Sequence, residues 1–346
     1  MKYNIDTKYL AESFEEMVSV HSPTGFHIKF KPVLEKYAKN LGVEMTFDNK
    51  TTGYITLDGE DNSKSVVVSA HADTIGLVIR HICSDGKLRI RALGGVNFGT
   101  IDGESVVIYT RDGREYTGLI LCERHSTHVF ENASGSVRDD KTMMIILDEK
   151  VSSADEVRAL GIDVGDYACI EPRCQITKSG FVKSRFIDNK GAVACAFAAI
   201  KYLTENNLKP AYKTIFTFPF WEEVGMGGCY LPENVFEFVG VDIGLIGPEQ
   251  NGSEYAVSIC AKDGGATYNY DLTNKLIACA KKAECDYRVD TYHWYSSDAH
   301  AAVHAGHNIR HALMGMAVYG SHGMERTHID SLANTSALIV AYVLDI

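Results

Sequence analysis

Thr214-Ile-Phe-Thr-Phe-Pro-Phe-Trp-Glu-Glu-Val-Gly-Met-Gly-Gly228 is the stretch on which the fold turns. Its first half, Thr214 to Phe220, is apolar and rich in β-formers, so it reads as a buried strand. The strand ends in two adjacent acids, Glu222 and Glu223, and the chain then turns on glycines. Both carboxylates are thereby expected at the carboxyl edge of a sheet, where α/β folds bind their ligands. Two neighbouring carboxylates that both ionise repel each other. Giving one to a metal and keeping the other as a base removes that conflict. For the pair taken alone, a plain acidic turn is the competing reading.

Working outward, Ser65-Val-Val-Val-Ser-Ala70 reads as a fully buried strand that runs into His71-Ala-Asp73. A His-x-Asp spacing on an extended chain puts both side chains on one face. The imidazole can then bind a metal while Asp73 fixes its orientation. Asp188, in Arg185-Phe-Ile-Asp-Asn-Lys-Gly191, precedes a strong helix pattern over Ala192 to Leu203. Asp242 follows the apolar run Phe238-Val-Gly-Val241, and His322 follows the run from Ala312 to Val318. A C-terminal helix is predicted from about Asp330 to Leu344.

In chain order, these segments offer His71, Asp188, Glu223, Asp242 and His322. Two imidazoles and three carboxylates suit two divalent ions, zinc first and cobalt or manganese next, provided one carboxylate bridges. Glu222 is left over beside a ligand, free to act as the catalytic base.

The segments SAHADTIGLVI, SRFIDNKGAVA, FPFWEEVGMGG, VGVDIGLIG and YGSHGMERTH, together with Ser22-Pro-Thr-Gly25, resemble the tetrahedral aminopeptidase family. This family comprises cytosolic co-catalytic metallopeptidases, among them glutamyl and deblocking aminopeptidases. The resemblance extends over essentially the whole chain. It implies that His71, Asp188 and Asp242 bind one ion, and that Asp188, Glu223 and His322 bind the other. It further implies that Glu222 is the general base activating a metal-bridging water, and that Asp73 orients His71. Thr74 stands where the family often has Glu, and Asn189 where a second Asp is common. Neither position is a metal ligand in the family.

The spacing of the motifs locates an insertion. Between His71 and Asp188 lie short β-like runs at Gly76–Arg80, Lys87–Arg91, Ser105–Tyr109, Glu115–Leu121 and Thr142–Leu147. Regular short strands separated by turn signals predict a small barrel. The expected organisation is a catalytic domain over 1–74 and 173–346, interrupted by a β-rich oligomerisation domain over 75–172. The catalytic domain is expected to be α/β, a mixed sheet sandwiched by helices. Family resemblance implies a homo-oligomer, a dodecamer whose subunit contacts the insert makes.

Composition narrows the field. The chain has 346 residues, 45% of them hydrophobic, enough for a sizeable core. A net charge of −11 argues against nucleic acid or an anionic membrane as the partner. No run approaches the length of a transmembrane helix, and the N-terminus is polar rather than a signal sequence. The 9 cysteines, with no Cys-x-x-Cys pair, read as reduced thiols in a cytoplasmic protein.

Other features compete for attention. His300, His304, His307 and His311 follow helical spacing and read as a surface or interface helix. Asp298 either shapes the substrate pocket or is structural. His328 competes with His322, which the strand end favours. His125 and His128 read as structural or interfacial. The expected activity is removal of N-terminal residues from short peptides. Three rivals stand beside it: a related di-metal deacylase or carboxypeptidase, a glycan hydrolase, and a non-catalytic assembly protein. The insert position opposes the first. Adjacent acids on a strand, pointing to opposite faces, oppose the second. An intact ligand set opposes the third.

Overall fold

The computed structural model of the chain describes residues 1–345. Its core is a sheet in which Tyr212–Phe218, Asp61–Ser69, Val235–Val241 and Arg310–Val318 lie side by side, all parallel. Their carboxyl halves are buried and mostly apolar, as burial on both faces requires. Gly53–Leu57 on one side and Val257–Lys262 on the other run antiparallel to their neighbours, so the sheet is mixed.

Strand alternation divides the core into two layers. Val67, Ile215, Phe238 and Leu313 join one cluster with Ala299 and Ala302 of the helix Asp298–His304. The next residues along face the opposite side. There Phe218 stacks on Phe197 of the helix Ile187–Glu205, with ring centroids 5.1 Å apart. Thr7–Val18 and Ile329–Val343 pack against that helix, and Tyr270–Lys282 packs against Ile329–Val343. The small residues Ala192, Ala194, Ala196 and Ala199 let the helices approach closely, and all are buried. Truncating Phe197 to Ala would cost about 3–5 kcal/mol. The fold is α/β, with the sheet between helical layers.

The chain divides into two compact units, one made of residues 1–74 and 173–345, the other of residues 75–172. In the latter, the strands Gly76–Ile82, Leu88–Leu93, Met143–Leu147, Glu115–Cys122, Ser105–Tyr109 and Tyr167–Ile170 close into an antiparallel barrel in that order. Alternate residues such as Leu77, Ile79, Leu88, Ile90, Val106, Ile108, Met143 and Ile145 are buried, as a filled barrel interior demands. Five of these strands are anticipated by the sequence runs. The sixth, Tyr167–Ile170, is only 4 residues long and too short to stand out.

Two local expectations are corrected. Glu222 and Glu223 do not lie on the strand, which stops at Phe218. Pro219 has no N–H to continue the ladder. The acids occupy a 3₁₀ turn, Glu222–Val224, closed by Gly225 at φ +73°. Nor do the four histidines share a helix. The helix ends at His304, Gly306 turns the chain at φ +94°, and His311 lies in the strand Arg310–Val318. His300 is buried rather than at a surface.

Candidate metal centre

The four parallel strands deliver their side chains to one edge of the sheet. Asp61–Ser69 runs on into His71 and Asp73. Tyr212–Phe218 leads to Glu222 and Glu223, and Val235–Val241 to Asp242. Arg310–Val318 leads to the turn that carries His322, which adopts the left-handed region at φ +58°. Asp188 arrives from the start of the helix Ile187–Glu205, with non-helical backbone angles and a cis peptide to Asn189. Asp242 is held by its N–H, which donates to Met314 O at 2.9 Å. The next residue, Gly315, permits this approach, because a Cβ there would lie 1.7 Å from the Asp242 carbonyl oxygen.

All seven residues singled out in the sequence come together. His71 Nε2 lies 3.3 Å from Asp188 Oδ1, 3.7 Å from Glu222 Oε2 and 3.8 Å from Asp242 Oδ2. His322 Nε2 lies 3.4 Å from Asp188 Oδ2 and 3.7 Å from Glu223 Oε2. Asp188 therefore turns one oxygen to each histidine. The side chain of His322 is 35% exposed, against 2% for His71 and 8% for Asp188, so solvent reaches the cluster on the His322 side. His328 is engaged elsewhere: Nδ1 accepts the Asp330 N–H and Nε2 lies 2.8 Å from Ser179 O.

Electrostatics sharpens the picture. Burial pushes Glu222 well above the ordinary carboxylate range, reinforced by Asp298, Asp242 and Glu223 against the opposing pull of His71. Burial, with Asp188 next, raises Glu223 to about 8, and the same two causes raise Asp242 to about 7. Asp188 behaves oppositely: burial would raise it, but hydrogen bonds from His322 and His71 hold it below its usual value. Burial disfavours charge on His71, yet Glu222, Asp188, Asp73 and Asp242 raise its pKa well above normal. So many carboxylates crowded into one buried site call for positive charge.

The donors fit divalent ions. His71, Glu222 and Asp242 can point ligand atoms at one centre, and His71, Asp188 and Glu223 at another. Glu223 Oε1 is buried and has no hydrogen-bond partner in the protein. A mixed imidazole and carboxylate set suits zinc and its borderline neighbours. Glu222 stands within ligand-atom reach rather than outside the cluster.

Several supporting contacts escaped the sequence reading. Asp73 is more than an orienter of His71. The ring Nδ1 is 3.0 Å from the Asp73 carbonyl oxygen and 3.4 Å from its Oδ1. The carboxylate instead accepts the N–H groups of Glu222 and Glu223, at 3.1 and 3.2 Å, and the Thr24 hydroxyl at 2.7 Å. Lys190, fully buried, donates to Ser22 Oγ at 2.5 Å, and Ser22 donates to Ala72 O at 2.7 Å. Asp298 accepts the Gly228 N–H at 2.7 Å, and a Cβ on Gly227 would lie 2.4 Å from its carboxylate oxygens. That contact accounts for the glycine pair after the acids. Glu325 accepts the N–H groups of both Asp188 and His322.

Residues 52–338 match the family of M42 glutamyl aminopeptidases. The chain belongs to the M42 family. YhfE of Bacillus subtilis (strain 168) is 39% identical over 333 residues, spanning 96% of each chain. Among solved structures, the aminopeptidase APDkam598 of the archaeon Desulfurococcus kamchatkensis superposes with a TM-score of 0.88 at 23% identity, covering 98% of this chain and 96% of its own. The TET1 peptidase of Pyrococcus horikoshii, which can assemble into a tetrahedron or a large octahedral shell, superposes at 0.85 and 22% identity, covering 97% and 100%. The two structural likenesses concern the fold. Membership of the M42 family makes this chain a peptide hydrolase of the aminopeptidase class. No helix among the described residues of this M42 protein is long and apolar enough to cross a membrane.

Proposed function

We propose that this M42 protein is a two-ion aminopeptidase that removes N-terminal residues from short peptides. The observation that carries the proposal is Asp188, whose two oxygens face His71 and His322 at 3.3 and 3.4 Å. A bridging carboxylate between two imidazoles is what a paired-ion site requires. His71, Asp188 and Asp242 would hold one ion, and Asp188, Glu223 and His322 the other. When bound, the ions would polarise the scissile carbonyl and lower the pKa of the attacking water.

Glu222 takes the proton from that water and returns it to the leaving amine. Burial raises its proton affinity above that of an ordinary carboxylate, which suits a group that takes up a proton. Asp73 fixes the turn from which Glu222 projects, through the two N–H groups that its carboxylate accepts. The positively charged α-amine of a substrate is attracted by the surrounding carboxylates, Glu222, Glu223, Asp242 and Asp298. An N-acetylated peptide offers no such charge, which restricts the enzyme to free amino termini.

The protein works as a homo-oligomer in the cytoplasm, a dodecamer held together through residues 75–172. Support comes from the family and from the exposed apolar side chains Val129, Val137 and Val164 in the loops of residues 75–172. Hydrolysis of a panel of aminoacyl chromogenic substrates by stripped protein, with defined metals added back, tests the reading. Activity that returns only with metal supports it.

A further inference from the structure

Glu325 is 1% exposed and belongs to no ligand set considered above. It opens the short strand Glu325–His328, which pairs antiparallel with Phe181–Ser184. In that register Glu325 faces Ser184, from which the chain continues through Arg185, Phe186 and Ile187 to Asp188. On its own side Glu325 follows His322 by three positions, in a turn closed by reciprocal hydrogen bonds between Tyr319 and Arg326. The strand pairing thus brings together two ligand-bearing segments that lie far apart in the sequence.

Both segments carry backbone conformations that side chains resist. His322 sits at φ +58°, and Phe186, two residues before Asp188, at φ +65°. Such positions are strained and persist only where the surroundings hold them. The Glu325 carboxylate is placed to do so. Oε2 accepts the Asp188 N–H at 3.0 Å, and Oε1 accepts the His322 N–H at 3.1 Å.

We propose that Glu325 is a positioning residue for one ion of the pair: by accepting both backbone N–H groups, it sets Asp188 Oδ2 and His322 Nε2 at their 3.4 Å separation. Asp73 does the same for the backbone of Glu222 and Glu223. The inference rests on the two-ion reading. It adds that the ion on the His322 side, with two of its ligands held by Glu325, depends on that residue more than the ion on the Asp242 side, which has only the shared Asp188 held by it.

The test is calorimetric titration of zinc into the stripped protein, wild type and E325Q, with thermal unfolding of both metal-free forms. An amide keeps the size of Glu325 but turns an NH₂ toward one of the two N–H donors. Loss of a supporting hydrogen bond behind a metal ligand typically weakens binding about 10–100-fold. E325Q should weaken one zinc affinity in that range and the other distinctly less, and E325A should weaken the first ion further. Two unchanged affinities, or two that fall equally along with a lower unfolding temperature, overturn the role of Glu325. If E325Q fails to fold without zinc, as a purely structural role would have it, the proposal is also overturned. Wild-type protein that takes up fewer than two ions overturns the two-ion reading instead.

Discussion

The carboxylate of Asp73 accepts the backbone N–H of Glu222 at 3.1 Å, across 149 residues of sequence. It thereby fixes the turn that presents the base, in addition to standing beside His71. Asp73→Asn would aim an NH₂ at a backbone donor and loosen that turn. A fall in kcat of about 10–100-fold is expected, with the fold kept. Steady-state kinetics and circular dichroism of D73N check this; an unchanged kcat contradicts it.

The acids at positions 222 and 223 should separate by function. Glu222→Gln is expected to keep zinc and the fold but to lose about 10²–10⁴-fold in turnover, because an amide cannot accept the proton. Glu223→Gln should weaken one ion. Metal content and kcat measured side by side decide it. If E222Q loses metal while E223Q keeps it, the two roles are exchanged.

Stability without metal should depend on pH in a defined direction. Burial raises Glu223 to about 8 and Asp242 to about 7. In an unfolded chain such groups titrate near about 4. Between those values the folded state holds protons that the unfolded chain has released, so stability falls as pH rises. His71, raised by its carboxylate neighbours despite burial, acts in the same sense above its ordinary value. The unfolding temperature of stripped protein should therefore drop from about pH 5 to about pH 8. Added zinc should reverse the trend, because it displaces those protons. A metal-free unfolding temperature that climbs over this range contradicts the account.

Assembly is open to direct measurement. Light scattering should give a mass about twelve times the 38.1 kDa chain, and a chain lacking residues 76–172 should fall into small species. A stable, active monomer at micromolar concentration refutes the dodecamer without touching the chemistry.

Much of this was legible in the sequence, for physical reasons. Val66 to Val68 and Thr214 to Phe218 announce themselves because strands buried on both faces must be apolar throughout. Acids and imidazoles that interrupt such runs at their carboxyl ends stand out against them. Tertiary support was not legible. Glu325 lies 137 residues from Asp188, and Lys190 lies 168 from Ser22, so no local pattern marks either pairing. The histidines from 300 to 311 kept a helical period that one glycine breaks, and the acids were assigned to a strand that Pro219 had already ended.

The most direct test of the central claim is time-resolved mass spectrometry of a decapeptide with a free amino terminus, digested by stripped protein with and without zinc. The account predicts a ladder shortened stepwise from the N-terminus, only when zinc is present, with the N-acetylated peptide and cello-oligosaccharides left intact. A ladder that forms after exhaustive chelation, or one that runs from the C-terminus, would contradict it.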